Sequence, residues 1–219
     1  MEQTIKENSI TQGVIWKQLL IFFFPILIGT FFQQLYNTVD TIVVGQYVGT
    51  QALAAVGTTG TLINLLVGFF VGVSSGTTVI ISQFFGAGDA KNVSKAVHTS
   101  IALALVGGLI IMVLGLLTAR PSLELLGVPQ EIMGDALTYV NVYYAGIIAC
   151  MVYNVGTGVL RAIGDSRMPL YVLIVCCLVN IVLDLLFVLM FHWGVFGVAI
   201  ATALSQVVSA VLIMLRLML

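Results

Sequence analysis

Gln33, Tyr36, Asn37 and Asp40 stand at spacings i, i+3, i+4 and i+7, just after the apolar run LLIFFFPILIGTFF. On a helix that spacing defines one face. Leu35, Val39 and Ile42 to Val44, on the other faces, are mostly apolar, so the helix carries a polar stripe that ends in a carboxylate. A second carboxylate, Asp184 in CCLVNIVLDLLFVL, has Asn180 four residues before it on the same face. Asp40 and Asp184 are the acidic residues deep inside long apolar runs, and no Lys or Arg stands at matching depth. A charge at the centre of a bilayer costs about 2.5–3.5 kcal/mol on insertion scales. Each carboxyl must therefore be protonated, hold a cation or face water. Oxygen ligands suit a hard monovalent cation. Two adjacent carboxylates that cannot both ionise cheaply can also share and exchange a proton. The competing reading is two separate polar contacts that lock helices together.

The elements that position these groups follow from composition. The chain has 219 residues, of which 60% are hydrophobic and 8% charged, with a mean hydropathy of +1.14. Soluble domains carry about a quarter charged residues, so the lipid bilayer is the expected solvent for most of the chain. A net charge of -1 supplies no basic field for nucleic acid. Cys150, Cys176 and Cys177 lie in apolar runs without metal spacing and read as small apolar fillers. His98 and His192 are solitary and read as helix-end residues rather than ligands. No cofactor is expected beyond a coupling ion.

Six spans are predicted, near 14–47, 52–85, 93–118, 132–160, 169–191 and 196–219, after a polar segment over 1–13. The first apolar run is longer than a signal-peptide core, so it reads as a retained helix. The joints VGTQAL, FGAGDAKN, TARPSLELLGVPQE, RAIGDSRMP and HWGVFG carry the helix breakers. Lys6, Lys17, Lys91, Lys95, Arg161, Arg167 and Arg216 fall on one side of these spans, and Arg120 on the other. The excess of Lys and Arg assigns both termini to the cytoplasm. Gly88-Asp89-Ala90-Lys91 and Gly164-Asp165-Ser166-Arg167 echo one another on that side. Gly68, Gly72 and Gly76, four apart on one face, are expected to let helices approach closely or to leave a smooth sliding face.

Depth bears on whether the carboxylates meet. At about 1.5 Å per residue, Asp40 and Asp184 each lie roughly 10 Å below the outer ends of their helices. Tyr139 and Thr202, on helices running the other way, fall at the same depth, so these groups could form one layer. Asn154 and the edge residue Arg161 lie nearer the cytoplasmic side.

The residues Gln33 to Asp40 (QQLYNTVD), Gly45 and Ala52 to Gly57 (ALAAVG) resemble the opening helices of the multidrug and toxic compound extrusion (MATE) transporters. Gly156 to Asp165 (GTGVLRAIGD) with Pro169 resembles that family's turn between helices 4 and 5, and Asn180 to Asp184 its helix 5. The resemblance implies a six-helix, all-α lobe of a twelve-helix transporter in a bacterial plasma membrane. Such a protein exports small cationic, often aromatic, compounds in exchange for Na⁺ or H⁺. It implies a cation site at Asp40, Asn180, Asp184 and Thr202, with Tyr139 in the surrounding network. It implies substrate-cavity roles for Gln33, Tyr36 and Asn154, and Asn37 shares their stripe. The chain matches the N-terminal lobe, so a second lobe or a second copy is the expected partner.

Other readings are a lipid-linked oligosaccharide flippase of the same superfamily and a non-transporting fragment. A flippase cavity should hold several cationic side chains for a pyrophosphate. An intramembrane protease of the GxGD type is suggested by Gly86 to Asp89 (GAGD) but needs its Asp deep in a helix, whereas Asp89 sits in a basic turn.

Overall fold

The computed structural model describes residues 15–218. The expected polar segment 1–13 lies outside them. The order is α1 (Ile15–Val43) continued by a π-helical turn (Val44–Val48), α2 (Thr50–Gly86), α3 (Ala90–Leu125), α4 (Met133–Ala162), α5 (Arg167–Leu185) continued by a second π-helical turn (Leu186–Met190), and α6 (Gly194–Met218). Among the described residues there is no strand, and six helices are long and apolar enough to cross a membrane.

α4 is the hub, buried continuously from Val155 to Leu160. Its neighbours come close where glycine leaves room. A Cβ at Gly158 would stand 2.8 Å from Thr78 Oγ1 and 3.0 Å from Ser74 O of α2, and one at Gly108 of α3 would stand 3.1 Å from Ile148 Cα. Gly156 is similarly crowded by Ile213 of α6, and Gly115 by the Tyr144 ring. Hydroxyls join two of the helices: Ser74 Oγ donates to Asn154 O at 2.8 Å, and Thr78 Oγ1 lies 3.1 Å from Gly158 O. The even spacing of these two contacts makes α2 and α4 parallel. α3 runs against α4, since Gly107 meets Met151 and Gly115 meets Tyr144. α5 runs against α6, with Cys176 opposite Ser205 and Phe187 opposite Gly197. α1 packs mainly on α5, where Gly29 touches Leu170 and Leu173, and reaches α2 and α6 at its far end.

Two expectations need correction. The third span does not end at 118: α3 runs through Pro121 to Leu125. A proline in a helix removes one backbone hydrogen bond. Here Ala119 and Leu123 are buried against α4, and an Arg120–Glu124 ion pair of 3.0 Å spans the proline on the exposed side. Burial on both sides of Pro121 holds the helix against that loss. The Gly68, Gly72 and Gly76 stripe is not a packing seam within this lobe, because a Cβ at any of the three would meet nothing within 4 Å. The close approaches fall instead at glycines of α3 and α4. α2 turns its glycine face away from its own lobe.

The echo between the two Gly-Asp turns is structural. Gly88 and Gly164 both adopt left-handed φ, 72° and 88°. Asp89 N donates to Phe84 O at 3.0 Å and Asp165 N to Leu160 O at 2.8 Å, closing the preceding helix in the same way. Each Asp then caps the next helix, Asp89 Oδ1 accepting from Asn92 N and Asp165 Oδ1 from Met168 N, both at 3.0 Å. Arg216 at the end of α6 reaches Asp165 Oδ2 at 3.3 Å, so the basic ends of α4, α5 and α6 gather together. At the opposite end Phe187, Trp193 and Phe191 stack at 5.1 and 5.3 Å, an aromatic cluster suited to a membrane–water interface.

Candidate functional site

α1 and α5 run side by side in the same direction and bring their carboxylates face to face. Asp40 is 8% exposed, and Asn180 and Asp184 are fully buried. Asn180 stands between the two acids. With its amide nitrogen turned inward it donates to Asp40 Oδ1 at 2.9 Å and to Asp184 Oδ2 at 3.2 Å. With its oxygen turned inward the same three side chains present only oxygens to one another. Thr202 of α6 closes the layer, its hydroxyl 3.4 Å from Asp40 Oδ2 and 3.1 Å from Val198 O, its helical alternative. Tyr139 of α4, also buried, is close to Thr202 and to both acids, and Tyr36 of α1 approaches Asp40 and Thr202 half-buried. Asp184 Oδ1 is enclosed and has no hydrogen-bond partner.

The sheath around this layer is apolar. Val43, Val44, Val188, Val198 and Ala199 form a buried cluster with Tyr139 on the side away from the basic end. Both π-helical turns begin within one helical turn of a carboxylate, at Val44 after Asp40 and at Leu186 after Asp184. The wider π turn carries one residue more than an α turn and re-aims the chain where the two helices meet. Buried carboxylates usually find a cationic partner. Here the two ion pairs among the described residues, Arg120–Glu124 and Arg216–Asp165, lie elsewhere. Two carboxylates, one with an unpartnered oxygen, an amide oxygen and a hydroxyl form a donor set that could hold Na⁺ or a proton.

A second polar region lies toward the basic end, on the same helices. α1, α2, α4 and α5 enclose a cavity of about 260 Å³ whose walls include Gln33, Ser74, Asn154, Thr157 and Arg161. Gln33 and Asn154 thus face one space. Tyr36 belongs with the acidic layer instead. Asn37 is exposed, with its amide 3.4 Å from Gln34 Oε1, and is not part of the cavity wall. The stripe of α1 is therefore split between a buried edge, an inner wall and an open face.

A family model for MatE matches residues 25–186, which include both carboxylates and the whole cavity wall. The chain belongs to the MatE family. The probable multidrug resistance protein YpnP of Bacillus subtilis is 31% identical over 92% of this chain and 45% of its own length. The FAD transporter of Shewanella oneidensis is 28% identical over 92% of this chain and 45% of its own. A solved outward-facing structure of a multidrug resistance MATE family transporter of the MOP superfamily superposes with a TM-score of 0.91 at 31% identity, covering 99% of this chain and 48% of that one. The chain thus spans about half the length of the MATE relatives it matches. MATE proteins are transporters and not enzymes. In keeping with this, Asp89 of the GAGD string is a helix cap whose two oxygens are bonded to Asn92 at 3.0 and 2.7 Å.

One member of the MATE cavity wall is legible in the sequence only in hindsight. Thr157 stands at i+3 from Asn154, and Arg161 at i+7, the same spacing that marks the α1 stripe. The stripe rule applied to α4 would have found it.

Proposed function

We propose that this chain is the N-terminal lobe of a cation-coupled multidrug antiporter in a bacterial plasma membrane. Its termini lie in the cytoplasm, and its partner is a second six-helix lobe or a second copy. The observation that carries the reading is the acidic layer: Asp40 and Asp184 bridged by Asn180 in a buried site with no Lys or Arg among its contacts. Na⁺ or H⁺ bound there neutralises a cluster that is otherwise costly to bury.

Loaded and empty layers differ in charge, so they favour different packings of α1 against α5 and α6. α1 is the least buried of the six spans, and it is the element we take to respond. The cavity walled by Gln33 and Asn154 lies on the same helix and senses the change. A shift in α1 that expels the substrate is then opposed or favoured by the ion, which is the reciprocity that coupling demands. Relatives named for multidrug resistance and for FAD support small organic compounds as the substrate class, and small cationic or aromatic ones are what the resemblance implies.

The test is drug efflux, driven by an imposed Na⁺ or pH gradient, in vesicles holding the protein with its partner lobe. Asp40→Asn and Asp184→Asn are each expected to abolish gradient-driven efflux. Wild-type rates in both variants would refute the reading. Varying Na⁺ at fixed pH separates the two ions.

A further inference from the structure

The single charge on the wall of the inner cavity is positive. Arg161 lines it together with Gln33, Asn154, Tyr153, Thr157 and Ser166, and no Asp or Glu does. Among the described residues Arg161 has no carboxylate partner. The nearest acid in sequence, Asp165, is already engaged, with Oδ1 accepting from Met168 N and Oδ2 from Arg216. A second group points to a ligand independently: Thr157 is 6% exposed, and its hydroxyl, on the cavity wall beside Tyr153, makes no hydrogen bond of good geometry. α5 also begins at this wall, with Ser166 and Pro169 lining it, so the positive end of its dipole is directed there.

We propose that this cavity is an anion subsite. Arg161 and Thr157 receive the carboxylate or phosphate of an aromatic ligand, beside the Tyr153 ring. The inference rests on reading the cavity as part of the substrate path and gives that path a chemical preference. An Arg that only snorkels from the membrane toward water would need neither the unpartnered hydroxyl beside it nor a place on a cavity wall. The volume of about 260 Å³ is below that of a whole drug site and matches one acidic end and its adjoining ring. A guanidinium binds such a group through two parallel hydrogen bonds, and a hydroxyl adds a third. Along α4 the layer's Tyr139 stands 18 residues from Thr157, about 27 Å, so cation and anion have separate seats.

The test is a fluorescence titration of the full chain in phosphatidylcholine nanodiscs with pyrenebutyrate and with its uncharged methyl ester. The acid is expected to bind about tenfold tighter than the ester, as charge-assisted hydrogen bonds require. Arg161→Gln should abolish that preference while ester affinity stays within about twofold, which also certifies the fold. Arg161→Lys should restore part of it, since the charge returns without the planar fork. Thr157→Val should weaken the acid by about fivefold and leave the ester unchanged. Equal affinities for acid and ester in the wild type, or a preference that survives Arg161→Gln, would overturn the proposal. Replacing part of the lipid with phosphatidylglycerol identifies the source of the anion. Loss of pyrenebutyrate binding means that the lipid phosphate takes the same site, and unchanged binding means that the site is kept for free ligands. Because the readout is equilibrium binding, it stands or falls separately from ion coupling, which Asp40→Asn tests.

Discussion

The layer around Asp40 and Asp184 and the cavity around Arg161 share α1, α4 and α5, yet they are built in opposite ways. The layer is buried, acidic and closed by valines, with its polar groups turned toward one another except Asp184 Oδ1, which has no partner. The cavity is lined by hydroxyls, amides and one guanidinium among apolar side chains, and it opens between the α1–α5 pair and the α2–α4 pair, which touch each other little. Burial makes each charge in the layer expensive, so a bound cation or proton would be strongly favoured there. A more open, mixed polar wall can take different ligands at modest cost. In the proposed reading a cation site and a binding wall thus share α1, with Asp40 and Gln33 about two turns apart.

The sharpest way to break this contrast is Asp184→Asn, the fully buried member of the layer. Cation affinity measured by calorimetry should fall by about a hundredfold, the upper range of a coupling free energy, while Arg161→Gln leaves it unchanged. If both substitutions weaken the cation equally, the two regions are one site. Next in size is the seam that holds the hub. Gly158→Ala places a methyl against Ser74 and Thr78, and should lower stability by about 1–3 kcal/mol in thermal unfolding. Thr202→Val keeps the shape of the layer but removes one oxygen. Its expected effect is a fall of about tenfold in cation affinity, with pyrenebutyrate binding intact. Smallest is Gly72→Ala on the open face of α2. It meets nothing in this lobe and should change the unfolding free energy by under about 1 kcal/mol, in the stabilising direction if the helix gains. A large loss there would mean that a partner packs on that face in the sample.

Much of this was legible in the sequence because lipid imposes a simple grammar. A helix must bury its backbone polar groups internally, so span number and type follow from hydrophobic length. Asp40 and Asp184 stood out because ionisable groups in hydrocarbon need a reason to be there. Counting residues from the span ends was enough to place Tyr139 and Thr202 level with them. The end of α3 was misplaced because Pro121 reads locally as a breaker, whereas packing of Ala119 and Leu123 against α4 is nonlocal. The Gly68–Gly76 stripe left two readings open, close packing or a smooth free face, and within this lobe the face is free. Spacing identifies a smooth face but not which neighbour, if any, lies against it.

The sequence by itself determined six membrane helices, their alternation and the presence of two carboxylates at one depth, because each depends on periodicity and length along a single helix. The tertiary structure decided which polar groups touch. It set Asn180 between the acids, turned Tyr36 to the layer and Asn37 outward, and put Arg161 on a cavity wall without a partner. Residues four apart on a helix differ in direction by only about 40°. That is small enough for sequence to group them as one face, and large enough for packing to send one to the acidic layer, one to a cavity and one to the open surface.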